Sequence, residues 1–239
     1  MSAPRTRTSP AIPIVIGAVC LLTLLVVVAA VVTGIFFYRS VQDPTGEGNG
    51  TTAADLPPGV EEGQPYLELS SGDGPVVDIY LDFACPHCAD FVAANGEDAR
   101  AMAESGEITL RVHPRPMLDS MTSPTGYSSR AANAAVCAYA ATGGTDPSAW
   151  FDAEAALMEE QMTGPSLDDE QLAQLVLDAT GQDVLDCVAD EVYIPWIRDV
   201  VEPEALESTQ GTPAIMIDGS LVQIDTAAAG SLRTAVEEA

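Results

Sequence analysis

VVDIYLDFACPHC, residues Val76–Cys88, joins a strand to a helix through a pair of cysteines. Val76–Phe83 is a short run of β-branched and aromatic residues, the composition of a buried central strand. The chain from Pro86 to Glu104 is helical in composition, with a break or kink expected at Asn95-Gly96. Cys85 therefore falls at a helix N-terminus, where unpartnered backbone N–H groups and the macrodipole favour negative charge. A thiolate is stabilised there. Pro86 suits the first helical turn because its missing N–H is not required. His87 is expected to add a second stabilising interaction to the same thiolate. Stabilising the thiolate favours the reduced pair and makes the disulfide more oxidising, so Pro-His points to a donor of disulfides. Cys88, one turn into the helix, is the expected resolving thiol.

Two blander readings compete for the same residues. A zinc site needs two further ligands at suitable spacing. The other histidine, His113 in RVHPRPM, lies at the end of a strand and reads as structural, and the remaining outer cysteines are single. A purely structural Cys85–Cys88 bridge closes so short a loop that it gains little entropy and is strained.

Working outward, Tyr66–Ser70 alternates and ends in a tight Ser-Gly-Asp-Gly turn, and Ile108–Val112 returns as a strand. A mostly helical stretch follows, with segments Gly126–Ala141, Ser148–Met162, Leu167–Thr180 and a region around Asp183–Leu206. Ala214–Ile217 and Leu221–Ile224 flank Asp218-Gly219, a strong hairpin signal. Thr226 is placed to cap a last helix over Ala227–Glu237. The order β, β, α, β, helices, β, β, α predicts an α/β sheet with a helical insertion at about residues 125–207, between its third and fourth strands. Cys137 and Cys187 both fall in that insertion. In an oxidising compartment they are expected to form a structural disulfide. Two buried free thiols, or a second redox pair relaying electrons to Cys85, are the alternatives.

The N-terminal part reads differently. Ala11–Tyr38 carries no charge and is longer than the roughly 20 residues that cross a bilayer. It ends in Ile35, Phe36, Phe37 and Tyr38 rather than at a small-residue cleavage site, so an uncleaved signal anchor is expected. A lipid anchor at Cys20 fails because Val19 precedes it and the apolar run continues beyond; Cys20 reads as a packing residue. Arg5 and Arg7 before the span, against Arg39 after it, favour a cytoplasmic N-terminus. The expected organisation is a cytoplasmic tail (1–10), a transmembrane anchor (11–38), a flexible acidic linker (39–64) and an extracytoplasmic domain (65–239). The chain holds 36 acids against 9 bases, a net charge of −27, and no acid precedes Asp43. So acidic a domain repels phosphate backbones, which excludes nucleic acid as a partner.

Beyond these residues, the chain resembles the DsbA-like thiol–disulfide oxidoreductases of the thioredoxin superfamily, in their membrane-anchored bacterial form. The resemblance rests on VVDIYLDF, ACPHC, the helical insertion, and Gly211-Thr212-Pro213-Ala214 before the hairpin, and it covers about Tyr66 to Ala239. It implies a thioredoxin-like fold and a cis peptide before Pro213, beside the cysteine pair. The Thr212 backbone would then be free to pair with an extended substrate, so Thr212 and Pro213 are the implied substrate-binding residues. The sequence departs from many relatives in one respect: the acid often found six residues before the first cysteine is Ile79 here. Asp82, three residues before Cys85, matches an Asp-Phe-x-Cys variant. It is expected either to assist proton transfer to Cys88 or to cap the helix start. The resemblance also implies cysteine-containing secreted or surface proteins as substrates, a DsbB- or VKOR-like membrane protein as reoxidant, and no cofactor beyond the Cys85–Cys88 disulfide. Two rival functions use the same residues: a thiol reductase or isomerase, for example in cytochrome maturation, and a binding module or chaperone with a vestigial CxxC.

Overall fold

The computed structural model describes residues 56–122, 126–161 and 167–239. Among these, no helix is long and apolar enough to cross a membrane. The expected anchor Ala11–Tyr38 and residues 39–55 of the expected linker lie outside them.

Five strands form one sheet in the order β1-β3-β2-β4-β5. They are β1 (Leu67–Ser70), β2 (Val76–Leu81), β3 (Thr109–Pro114), β4 (Ala214–Ile217) and β5 (Ser220–Val222). β2 takes the centre, parallel to β3 and antiparallel to β4. Its apolar run explains the position, because a central strand is covered on both faces. Val77, Ile79 and Leu81 join the main core together with Phe91 and Met102 of the helix α1 (Pro86–Glu104). On the other face Tyr80 packs with Ala214 and Ala205 and stacks on His113, ring centroids 4.0 Å apart. His113 is buried, with Nε2 3.0 Å from Asp78 Oδ1, so its role here is structural packing. Asp218 and Gly219 turn the β4–β5 hairpin with positive φ at both residues.

Between β3 and β4 lies the helical insertion. It comprises α2 (Tyr127–Ala141), α3 (Ser148–Gln161), α4 (Asp169–Thr180), α5 (Leu185–Ala189), α6 (Ile194–Trp196), a π turn (Ile197–Val201) and α7 (Glu202–Ser208). α4 opens with a capping box, Asp168 accepting from the Gln171 backbone N–H and Gln171 returning the bond. Pro203 cannot donate to a preceding carbonyl, and the wider π turn lies just before it. The chain closes with α8 (Ser231–Glu237).

Three sequence expectations are corrected. The break at Asn95-Gly96 does not occur; α1 runs through both residues. Asn95 is buried, and its side chain is spent on another element: Oδ1 accepts from the Leu232 N–H and the Ser231 hydroxyl, and Nδ2 donates to the Thr226 carbonyl. The final helix starts at Ser231 after Gly230, not at a Thr226 cap, because Asp225 and Ala228 hold a turn before it. The end of the expected linker is packed: Leu56 and Val60 lie against the core, and the Trp196 indole donates to the Gln64 carbonyl at 2.9 Å.

Candidate redox site

Cys85 is the N-cap of α1, with extended backbone angles, and Pro86 occupies the first helical turn. The Cys85 carbonyl accepts from the N–H groups of Cys88 and Ala89, which starts the helix and carries the Cys88 side chain inward. Both cysteines are free thiols. Cys85 is 6% exposed and Cys88 is fully buried. The thiol of Cys85 donates to the Thr212 carbonyl at 3.4 Å, across the cis Thr212–Pro213 bond loop that precedes β4. Gln161, the last residue of α3, donates to the Cys85 carbonyl.

The two sulfurs differ sharply in acidity. The Cys85 thiol is lowered from 9.0 to about 5, first by a hydrogen bond from Cys88, then, against the opposing effect of burial, by the Thr212 side chain and the backbone N–H groups of Cys88 and His87. Cys88 is pushed far up by burial and by its neighbour Cys85. One sulfur is a ready thiolate and leaving group; the other holds its proton.

The support for the thiolate is thus not the expected one. The His87 side chain is 79% exposed, with Nδ1 3.8 Å from Asp90 Oδ2 on the same helix. The ring is turned towards Asp90, and the thiol of Cys88 is the largest influence that lowers Cys85.

Asp82 is fully buried between β2 and the cysteines. It does not cap α1. One carboxyl oxygen accepts from the Ala84 N–H and the other from the Leu118 N–H, both at 2.7 Å. Its own backbone N–H reaches the Cys88 sulfur at 3.5 Å. Burial raises its carboxyl from 3.8 to about 6, with Ser128 and the two N–H groups pulling the other way. A carboxyl of that acidity, bonded within the segment that leads to the cysteines, is suited to trading a proton near neutral pH.

Asp82, Cys85, Cys88, Thr212 and Pro213 therefore meet at one end of the central strands, with Pro86 shaping the helix start. Cys137 and Cys187 lie apart, joined by a disulfide between α2 and α5. Ser128, Gln161 and the Leu118 N–H belong to the site and are not foreseeable from the sequence; they come from the insertion and from a loop, with no local pattern to mark them.

The sheet order and the paired thiols together define a dithiol protein of thioredoxin-like architecture. The comparison with family models is narrower: the thioredoxin model matches residues 72–238, and the chain belongs to that family. No curated protein matches it. Among solved structures it is similar to oxidised DsbA from Mycobacterium tuberculosis, with 25% identity over 72% of this chain and 91% of that one, at a TM-score of 0.58. It is also similar to MdbA of Corynebacterium diphtheriae, a thiol-disulfide oxidoreductase, with 22% identity over 70% and 83% of the two chains and a TM-score of 0.56. BdbD of Bacillus subtilis shares the fold at 18% identity, covering 76% and 95%, with a TM-score of 0.56.

Proposed function

We propose that the protein is a thiol–disulfide oxidoreductase that donates the Cys85–Cys88 disulfide to folding secreted or surface proteins. The observation that carries the reading is the acidity contrast between Cys85 and Cys88 at the head of α1. The likeness to DsbA and MdbA structures supports it. In the oxidised protein, a substrate thiolate attacks the Cys85 sulfur. The Cys85–Cys88 bond breaks, and the Cys88 sulfur leaves and takes up a proton, for which Asp82 is the nearby source. A mixed disulfide joins substrate and Cys85 while the Thr212 backbone pairs with the extended substrate. A second substrate thiolate then attacks the substrate sulfur and expels the Cys85 thiolate, a good leaving group because it is so acidic. The substrate has lost two electrons, and the Cys85–Cys88 pair has gained them.

The uncharged segment Ala11–Tyr38 supports a membrane anchor, and the base distribution supports a catalytic domain outside the cytoplasm. A DsbB- or VKOR-like membrane oxidant would return the pair to the disulfide. Cys85→Ala is expected to abolish disulfide donation to a reduced model protein. Cys88→Ala is expected to accumulate mixed disulfides visible on non-reducing gels. The direction is tested by equilibrating the full chain in glutathione buffers. A potential nearer to about −120 mV than to about −270 mV supports donation; the thioredoxin-like value would replace it with a reductase.

A further inference from the structure

We propose that Arg115 is a positioning residue for exchange at Cys85, holding the strand end that carries CPHC in register with the Thr212–Pro213 loop. Arg115 follows β3 directly and is fully buried. Its backbone N–H donates to the Leu81 carbonyl at 2.7 Å, four residues before Cys85. Its guanidinium makes three hydrogen bonds of 2.8 Å, all to one segment. Nε and Nη2 grip both carboxyl oxygens of Glu202, the first residue of α7. Nη1 donates to the hydroxyl of Thr209, where the chain leaves α7. That hydroxyl in turn donates to the Ala205 carbonyl, which also takes the Thr209 N–H.

One rigid, planar fork thus holds both ends of α7 against the end of β2 and β3. Three residues beyond Thr209 is Thr212, whose carbonyl accepts from the Cys85 thiol and whose side chain supports the Cys85 thiolate, the contact that sets the sign of the test. The path is continuous: Leu81 to Cys85 on one side, Thr209 to Thr212 on the other, Arg115 between them. A buried ion pair is an inefficient way to stabilise a fold, because apolar residues of similar volume often do as well. What the fork supplies that apolar residues cannot is a fixed direction for the chain as it leaves α7. Arg115 touches neither sulfur. Its influence on Cys85 passes through the position of Thr212.

This inference rests on Cys85 as the exchanging thiol, and its test is read at that sulfur rather than through substrate turnover alone. In the full chain, Thr209→Val keeps the volume and the Arg115–Glu202 pair but removes the hydroxyl. Followed by thiolate absorbance, the Cys85 titration midpoint is expected to rise by about half a pH unit, and alkylation at acidic pH to slow several-fold. Thr209→Ser, which restores the hydroxyl, should return both values to those of the parent. Arg115→Lys, which keeps the charge but loses the fork, should shift both values in the same direction as Thr209→Val. A Thr209→Val protein that melts earlier yet keeps the parent midpoint and alkylation rate would overturn the proposal and leave Arg115 a structural ion pair. If Thr209→Val does not fold, the midpoint and alkylation rate of Arg115→Lys decide in its place. Should Cys85→Ala remain active as a disulfide donor, the oxidoreductase reading falls, while the titration of Cys85 still decides the role of Arg115.

Discussion

Cys85 and Cys88 sit one helical turn apart, and the acidity gap between them makes the pH dependence of the pair predictable. With Cys85 at about 5 and Cys88 far above its ordinary value, reduction takes up two protons below pH 5 and one above it. The reduction potential should therefore fall by about 59 mV per pH unit below that point and by about 30 mV above it. A break near pH 8 or 9 instead would show that the fold does not stabilise the thiolate. Stability follows the same linkage. Because the folded value of Cys85 lies below the unfolded one, its contribution to the reduced protein is complete above about pH 9 and vanishes as pH falls through 5. At pH 7 it is on the order of 2–3 kcal/mol. Above pH 9 the raised Cys88 acts in the opposite sense. The cysteines and Pro86 were legible because each is a residue type with an unusual local demand at a helix start, whereas Thr212 and Pro213 were legible only through the resemblance, which implies a cis bond beside the pair. The source of the thiolate's support was not, since a ring at His87 and a backbone N–H at His87 look the same in one dimension.

At the scale of elements, α1 is the part whose two ends do different things. Its first turn holds the thiols, and its middle is tied to α8 through Asn95. Gly96 beside a polar residue in an apolar pattern resembles a break, because a local reading assigns Asn a turn preference. The burial that makes Asn95 useful is created by a segment more than a hundred residues away, so no window around it could show the difference. Asn95→Leu keeps the helix and the volume but strands the Leu232 N–H and the Thr226 carbonyl. The expected cost is roughly 2–4 kcal/mol, read as a lower urea midpoint, with early exchange of the α8 amides. Unchanged exchange in α8 would mean that α8 does not depend on this anchor. β2, by contrast, was readable apart from its end, which falls at Leu81 rather than Phe83: its run of Val, Ile, Tyr and Leu is what a centre strand requires, and β3 and β4 are placed by pairing with it.

Over the whole molecule, the sheet and the insertion are each incomplete alone. The start of α1 and the loop before β4 supply the cysteine pair and Thr212, whereas the insertion meets the site through Ser128, which bonds Asp82, and Gln161, which donates to the Cys85 carbonyl. The Cys137–Cys187 bridge belongs to this larger scale, since it ties α2 to α5 across 50 residues of sequence. Asn133 reinforces the same junction by accepting from the Tyr193 N–H and donating to the Cys187 carbonyl. Cys137 is buried inside the insertion, and the bridge joins two elements that carry neither redox cysteine. From that placement the bridge is expected to act on the unfolded chain rather than on electron flow. Replacing both cysteines by Ser should cost roughly 4 kcal/mol, the loop-closure entropy for a loop of that size. It should lower the melting temperature and leave the Cys85–Cys88 potential where it was. Electron relay through this pair predicts a different outcome for the same variant: a donation rate that collapses in addition to the lower melting temperature. A disulfide-donation assay of the same double variant, beside its thermal denaturation and glutathione equilibration, separates the two outcomes.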